Sequence, residues 1–300
     1  MEDIANRNCT TTLRGIAILI IMIGHVGVSG FGCRLFNPFG GIGVAMFLFL
    51  SGYGLSESFK KNGLNHFWKK KVIRIVIPYI IWIPIYHLAI RFSPLGSVYH
   101  LEIIPRYWFI EYLIITYILF YFLFHYYAKQ AIIVMGIMGI ISVIVLSNLR
   151  AEQSFSFLAG IIFSHEKDYF RNSSKKHVFT LACIFFTIGI SALLIKQLPQ
   201  LRVYDLESLQ FKVLNLFIKL PLGLSILFLT FALKPNGTKW LTAVGNIAYE
   251  LYLTHVSFFM TIAGRSLYLI VFIIQTFILA YIIHYLNKYI PNKNLTNGYK

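Results

Sequence analysis

Long apolar runs separated by short polar stretches repeat along the chain, at roughly 13–28, 40–57, 72–88, 107–124, 131–147, 154–164, 178–195, 211–232, 242–262 and 267–286. The hydrocarbon core of a bilayer takes about 20 apolar residues of helix, and most of these runs approach that length. None alternates apolar and polar residues as a barrel strand does, and an open sheet would leave backbone amides unpaired in lipid. The pattern predicts an all-α, polytopic transmembrane bundle of about ten helices, the sixth unusually short.

The polar positions inside these runs carry more information than the apolar ones. In the first, LRGIAILIIMIGHVGV, Arg14 and His25 fall on nearly the same helical face, with His25 roughly 16 Å further along the axis. Each would be penalised by a few kcal/mol against lipid, so both are expected to face protein or a wet cavity. Two readings stand: a functional pair, or an arginine snorkelling to the headgroups and a packing histidine. The second run is rich in small residues, Gly41, Gly43, Ala45, Ser51, Gly52 and Gly54, which suit close helix packing. Nothing places a base beside Ser51, so packing is its expected role. Glu111 lies one turn inside the fourth run, either as a polar member of a cavity or at the outer interface near Arg106. Trp108 by itself reads as an interfacial residue. Lys219 and Pro221 interrupt the eighth run without an assignable role. In the ninth, Asn246, Tyr249, Tyr252 and His255 follow at steps of three, a slowly drifting polar face.

Composition agrees with a membrane protein: 57% of the 300 residues are hydrophobic, 13% are charged, and the mean hydropathy is +0.69. A formal charge of +16 would suit nucleic acid, but its distribution argues otherwise. With the amino terminus inside, the inner segments carry about twice as many Lys and Arg as the outer ones. Both termini are therefore expected in the cytoplasm, with one integral-membrane domain over residues 1–290 and a short tail over 291–300. Cys9, Cys33 and Cys183 fall on different levels of the predicted topology and imply no disulfide framework. Acidic Glu2 and Asp3 ahead of the first run, with no small-residue cleavage pattern after it, do not suit a signal peptide. No metal site and no internal repeat is expected.

Three stretches in order, LRGIAILIIMIGH, FLFLSGYGL and HFWKKKVIRIVIPY, resemble the acyltransferase 3 family of integral-membrane O-acyltransferases. In the last, two basic residues three apart ahead of a proline match as Lys71, Arg74 and Pro78. Lys71 stands where the family commonly has arginine, keeping the charge without the bidentate fork. Trp108 and Phe109 look like the family's tryptophan-led fourth span, and the ninth run resembles its late helix, with Ala248 in place of the usual serine.

The resemblance implies a bacterial cytoplasmic-membrane enzyme that takes an acyl group, most commonly acetyl, from acyl-CoA and passes it to a hydroxyl of an envelope carbohydrate such as an exopolysaccharide, capsule or O-antigen unit. It implies acetyl-CoA as co-substrate and no permanently bound cofactor. Arg14, Lys71 and Arg74 are the candidate contacts for the CoA phosphates. His25, Arg14 and Glu111 are the candidate catalytic residues, with His25 as general base because an unperturbed imidazole titrates near neutrality, and a covalent acyl-histidine as the less favoured alternative. Trp108, Asn246, Tyr249 and His255 are the candidate acceptor contacts; for Tyr249, positioning and substrate contact both remain open. The rival readings are a transporter or flippase of lipid-linked glycans, for which inverted repeats would speak, and a non-catalytic envelope-assembly subunit. The sequence leaves the oligomeric state open.

Overall fold

Apolar segments in lipid can satisfy their amides only from within, and these do so as helices. The computed structural model describes residues 6–29, 32–92, 107–233, 236–258 and 266–289. In chain order the elements are α1 (Arg7–Ser29), a 3₁₀ turn (Arg34–Phe36), α2 (Asn37–Asn62), α3 (Phe67–Lys71), a π turn (Val72–Val76), α4 (Ile77–Phe92), α5 (Trp108–Tyr126), α6 (Ala131–Val145), α7 (Asn148–Ala151), α8 (Ser156–His165), α9 (Lys167–Asn172), α10 (Lys175–Lys196), α11 (Pro199–Arg202), α12 (Leu209–Leu233), α13 (Lys239–Asn246), α14 (Ala248–Val256) and α15 (Ser266–Tyr289).

Among the described residues there is no strand, and seven helical stretches are long and apolar enough to cross a membrane. The expected ten runs differ from these at three places. The fifth forms a helix of 15 residues and the sixth one of 10. The ninth is divided at Ile247, whose backbone (φ −111°, ψ 16°) leaves the helical range between α13 and α14. Residues 93–106, with Arg106, the end of the ninth run and the 291–300 tail lie outside the described residues.

The chain forms two units. The first comprises Met1–Gly24, Leu35–Asn65 and Tyr107–Asn246. Its core joins Leu13 and Ala17 of α1 to Met46, Phe49 and Tyr53 of α2, Phe163 of α8 and Phe228 and Phe231 of α12. Phe163 stacks on Phe231 with centroids 5.4 Å apart and takes Phe228 edge-on at 5.8 Å. Glycine is what lets α2 and α8 cross. A Cβ on Gly52 would stand 2.1 Å from the Phe157 carbonyl oxygen, and one on Gly160 only 1.9 Å from that of Phe49. The helices therefore touch backbone to backbone, the contact that small residues permit between membrane helices. Gly15 and Gly245 play the same part between α1 and α13, where Thr12 and Thr242 join hydroxyls at 2.8 Å. Gly54, on the same small-residue run as Gly52, faces open space.

The second unit comprises His25–Arg34, His66–Arg106 and Ile247–Lys300. Here α14 packs against α4 and α15. Trp82 is fully buried beside Tyr86 and Phe258, with centroids 5.9 and 6.4 Å away, and Thr254 donates its hydroxyl to the Thr276 carbonyl at 3.2 Å. Glu250 is buried and pairs with His284 at 3.1 Å, so a carboxylate without an assigned role in the sequence ties α14 to α15. The π turn precedes Pro78, which has no N–H to give to Arg74 and would crowd that carbonyl in a regular helix. Ile77 bonds back to Val72 instead, five residues earlier.

Gly160→Leu is expected to force α2 and α8 apart and cost about 2–3 kcal/mol or more, read as a lowered thermal midpoint of the detergent-purified chain. Gly54→Leu is expected to leave the midpoint unchanged; equal losses at the two sites would contradict the backbone contact.

Candidate functional site

His25 sits on the last turns of α1, within the second unit, and is partly buried. Its Nδ1 lies 3.0 Å from Nε2 of His255, a residue of α14 with no exposed surface. The two rings are nearly parallel, 22° apart in plane and 5.2 Å between centroids. The other nitrogen of His255, Nδ1, lies 2.8 Å from the carbonyl oxygen of Leu251 one turn earlier on the same helix. The rings of Tyr252 and His255 meet edge to face with centroids 5.6 Å apart. A backbone carbonyl, two imidazoles and an aromatic wall thus form one continuous arrangement in an apolar bundle.

The same unit holds the basic pair. Lys71 ends α3 with its Nζ 5.3 Å from the Phe67 ring centroid, and Arg74 lies exposed in the π turn. Three residues along a regular helix would put them on one face; the wider π turn alters that register. Tyr249 donates its hydroxyl to the Ile75 carbonyl in this turn at 2.9 Å, fixing α14 to the segment that carries Arg74. Of the two roles left open for Tyr249, this bond supplies positioning.

Four predicted residues belong to the first unit. Arg14 is exposed on α1, about three turns before His25 on the same continuous helix. Trp108 opens α5 with its ring against Phe109 at 6.2 Å, and Asn246 is exposed at the end of α13. Glu111 is half exposed and forms an ion pair with Arg150 at 3.0 Å. Its carboxylate is thus engaged by a cation from α7.

Sequence reasoning missed a buried polar ladder in the first unit. Lys212, Asn215 and Lys219 are buried on one face of α12. Lys212 pairs with Glu207 at 3.4 Å. Asn215 accepts from Lys196 at 2.7 Å and donates to Asn148 at 2.9 Å. Lys219, unexplained in the sequence, donates to the Pro38 carbonyl at 3.1 Å, and its stem passes beside Gly41 together with the carboxylate of Glu152. Gln153 completes the group, donating to the Gly41 carbonyl at 3.0 Å. Burial pushes the Glu152 carboxyl above the usual carboxylate range, against the pull of Lys219, Gln153 and Lys196. The i, i+3, i+7 spacing of 212, 215 and 219 was the available signal.

The acyltransferase 3 family model, described as "Acyltransferase domain", matches residues 10–289. The chain belongs to this family. No curated protein and no solved structure matches it. Membership makes this multi-pass membrane protein an acyltransferase, and the matched span takes in α1 from its first turn through α15, hence every candidate residue above.

Lys219→Met is expected to strand the buried Glu152 charge and destabilise this acyltransferase by about 3 kcal/mol at neutral pH. The native carboxyl in that variant titrates above its unfolded value, so the native state binds the extra proton and the deficit shrinks as pH falls from neutral toward the ordinary carboxylate range. Thermal melts between pH 8 and pH 5 check this. A deficit that grows on acidification, or one left unrelieved by adding Glu152→Gln, contradicts the charge interaction between Lys219 and Glu152.

Proposed function

We propose that this acyltransferase moves an acetyl group from cytoplasmic acetyl-CoA to a hydroxyl of an envelope carbohydrate, such as an exopolysaccharide, capsule or O-antigen unit, at the bacterial cytoplasmic membrane. The observation that carries the reading is the His25–His255 pair: an imidazole held at its Nδ1 by a buried neighbour is the kind of group that general-base catalysis of acyl transfer needs.

In the proposed reaction the acceptor hydroxyl gives its proton to His25 as its oxygen attacks the thioester carbonyl carbon. The C–O bond forms, the tetrahedral intermediate collapses with cleavage of the C–S bond, and the CoA thiolate departs and recovers the proton from the imidazolium. The ester and free CoA result, and His25 returns to neutral. Arg14, Lys71 and Arg74 serve as cations for the donor's phosphates, Arg14 by its fork and Lys71 as a point charge. Trp108 and Asn246 serve the acceptor side, and Tyr249 acts by holding the π turn. Glu111, engaged with Arg150, is given no proton-transfer role.

His25→Ala is expected to lower transfer of radiolabel from acetyl-CoA to membrane carbohydrate by at least about 100-fold, with unchanged amounts of the protein in the membrane; substantial retained transfer rejects the base. Arg14→Lys is expected to raise the acetyl-CoA concentration for half-maximal rate by about tenfold, corresponding to about 1.4 kcal/mol. An unchanged concentration dependence removes Arg14 from the donor site.

A further inference from the structure

We infer that His255 is a positioning residue that sets the tautomer of His25, and so decides which of its nitrogens is basic. The inference rests on the reading of His25 as general base. It starts from the one group in the arrangement whose hydrogen-bonding sense is fixed. The Leu251 carbonyl can only accept, so His255 Nδ1, 2.8 Å away, must carry the proton. The opposite tautomer would set two lone pairs against each other in a site with no exposed surface, the costly case of buried acceptors facing without a donor.

A neutral imidazole has one N–H. With that proton at Nδ1, His255 offers a lone pair at Nε2, directed at His25 Nδ1 at 3.0 Å. This second contact needs a donor, and His25 supplies it: its single N–H is at Nδ1, which leaves Nε2 of His25 as the basic nitrogen. The order runs from carbonyl to His255 to His25 with no remaining choice. Unsupported imidazole side chains favour the reverse form, protonated at Nε2, which in His25 would place a donor where the proton must be received. As His25 takes up the substrate proton, its Nδ1–H bond to His255 becomes charge-assisted and strengthens, so the support is greatest when the imidazolium forms. A substrate-contact role for His255 would need its polar atoms to face the acceptor; both are already engaged within the unit.

Two substitutions separate tautomer control from packing. His255→Phe keeps a ring but removes the acceptor, and is expected to lower the maximal rate of label transfer about 30- to 100-fold, within the range that general-base catalysis contributes, while the acetyl-CoA concentration for half-maximal rate changes less than about twofold. His255→Gln, whose Oε1 replaces the lost acceptor, is expected to restore most of the rate. The direct readout is nitrogen NMR of the full chain in detergent micelles with ¹⁵N-labelled histidine, resonances being assigned by loss in His25→Ala and His255→Gln. Wild-type protein is expected to show Nδ1–H at both His25 and His255, and His255→Phe to shift His25 toward Nε2–H. An Nε2–H form at His25 in the wild type overturns the inference even if the Phe variant does not fold. So does a wild-type rate in His255→Phe when His25→Ala is inactive; an active His25→Ala instead overturns the reading of His25 as base.

Discussion

Hydrocarbon solvates neither an amide nor a charge, so a polar group in this chain has to find its partner within the protein. That constraint explains why the informative contacts join polar residues from different helices. Glu250 is met by His284, Glu57 by Lys167 and Ser164, Asn215 by Lys196 and Asn148, and His255 by His25. In water each contact would contribute little, since solvent offers an equal alternative. In a bundle the alternative is an unsatisfied buried group, and each contact fixes how its helices meet.

The same constraint gives glycine its role in the first unit. Lipid tails are as apolar as leucine, so helices gain little from burying leucine and more from close van der Waals contact. Gly52 against Phe157 and Gly160 against Phe49 bring two main chains together, and the aromatic group around Phe163 fills the space beside them. The crossing is specified twice, by what is missing from two residues and by the bulk of their neighbours.

The helical class, the membrane-spanning character and the family were legible because each is written in many residues at once: run length, charge asymmetry and three ordered motifs. Arg14 and His25 stood out because they are polar within an apolar run. Their surroundings were not legible, since His25 and His255 are separated by 230 positions and no local spacing reports such a meeting. Glu111 illustrates the same limit: its position near the helix start was visible, but its partner Arg150 comes from α7, after an intervening helix. The division at Ile247 was hidden for a different reason, because the residue there is apolar and hydropathy runs on unbroken. Lys219 was seen but not understood, as its acceptor is the Pro38 backbone carbonyl, which carries no side-chain signature.

The π turn at Val72–Val76 has a further consequence. It holds one residue more than a regular turn would need and absorbs that surplus locally. Were one residue deleted here, the wide turn would close to a regular one and α4 would keep its phase, leaving the indole of Trp82 and the phenol of Tyr86 on the faces they now fill. The segment that carries Arg74 therefore also takes up slack in the third span, letting the chain accommodate Pro78 without turning the helix beyond it.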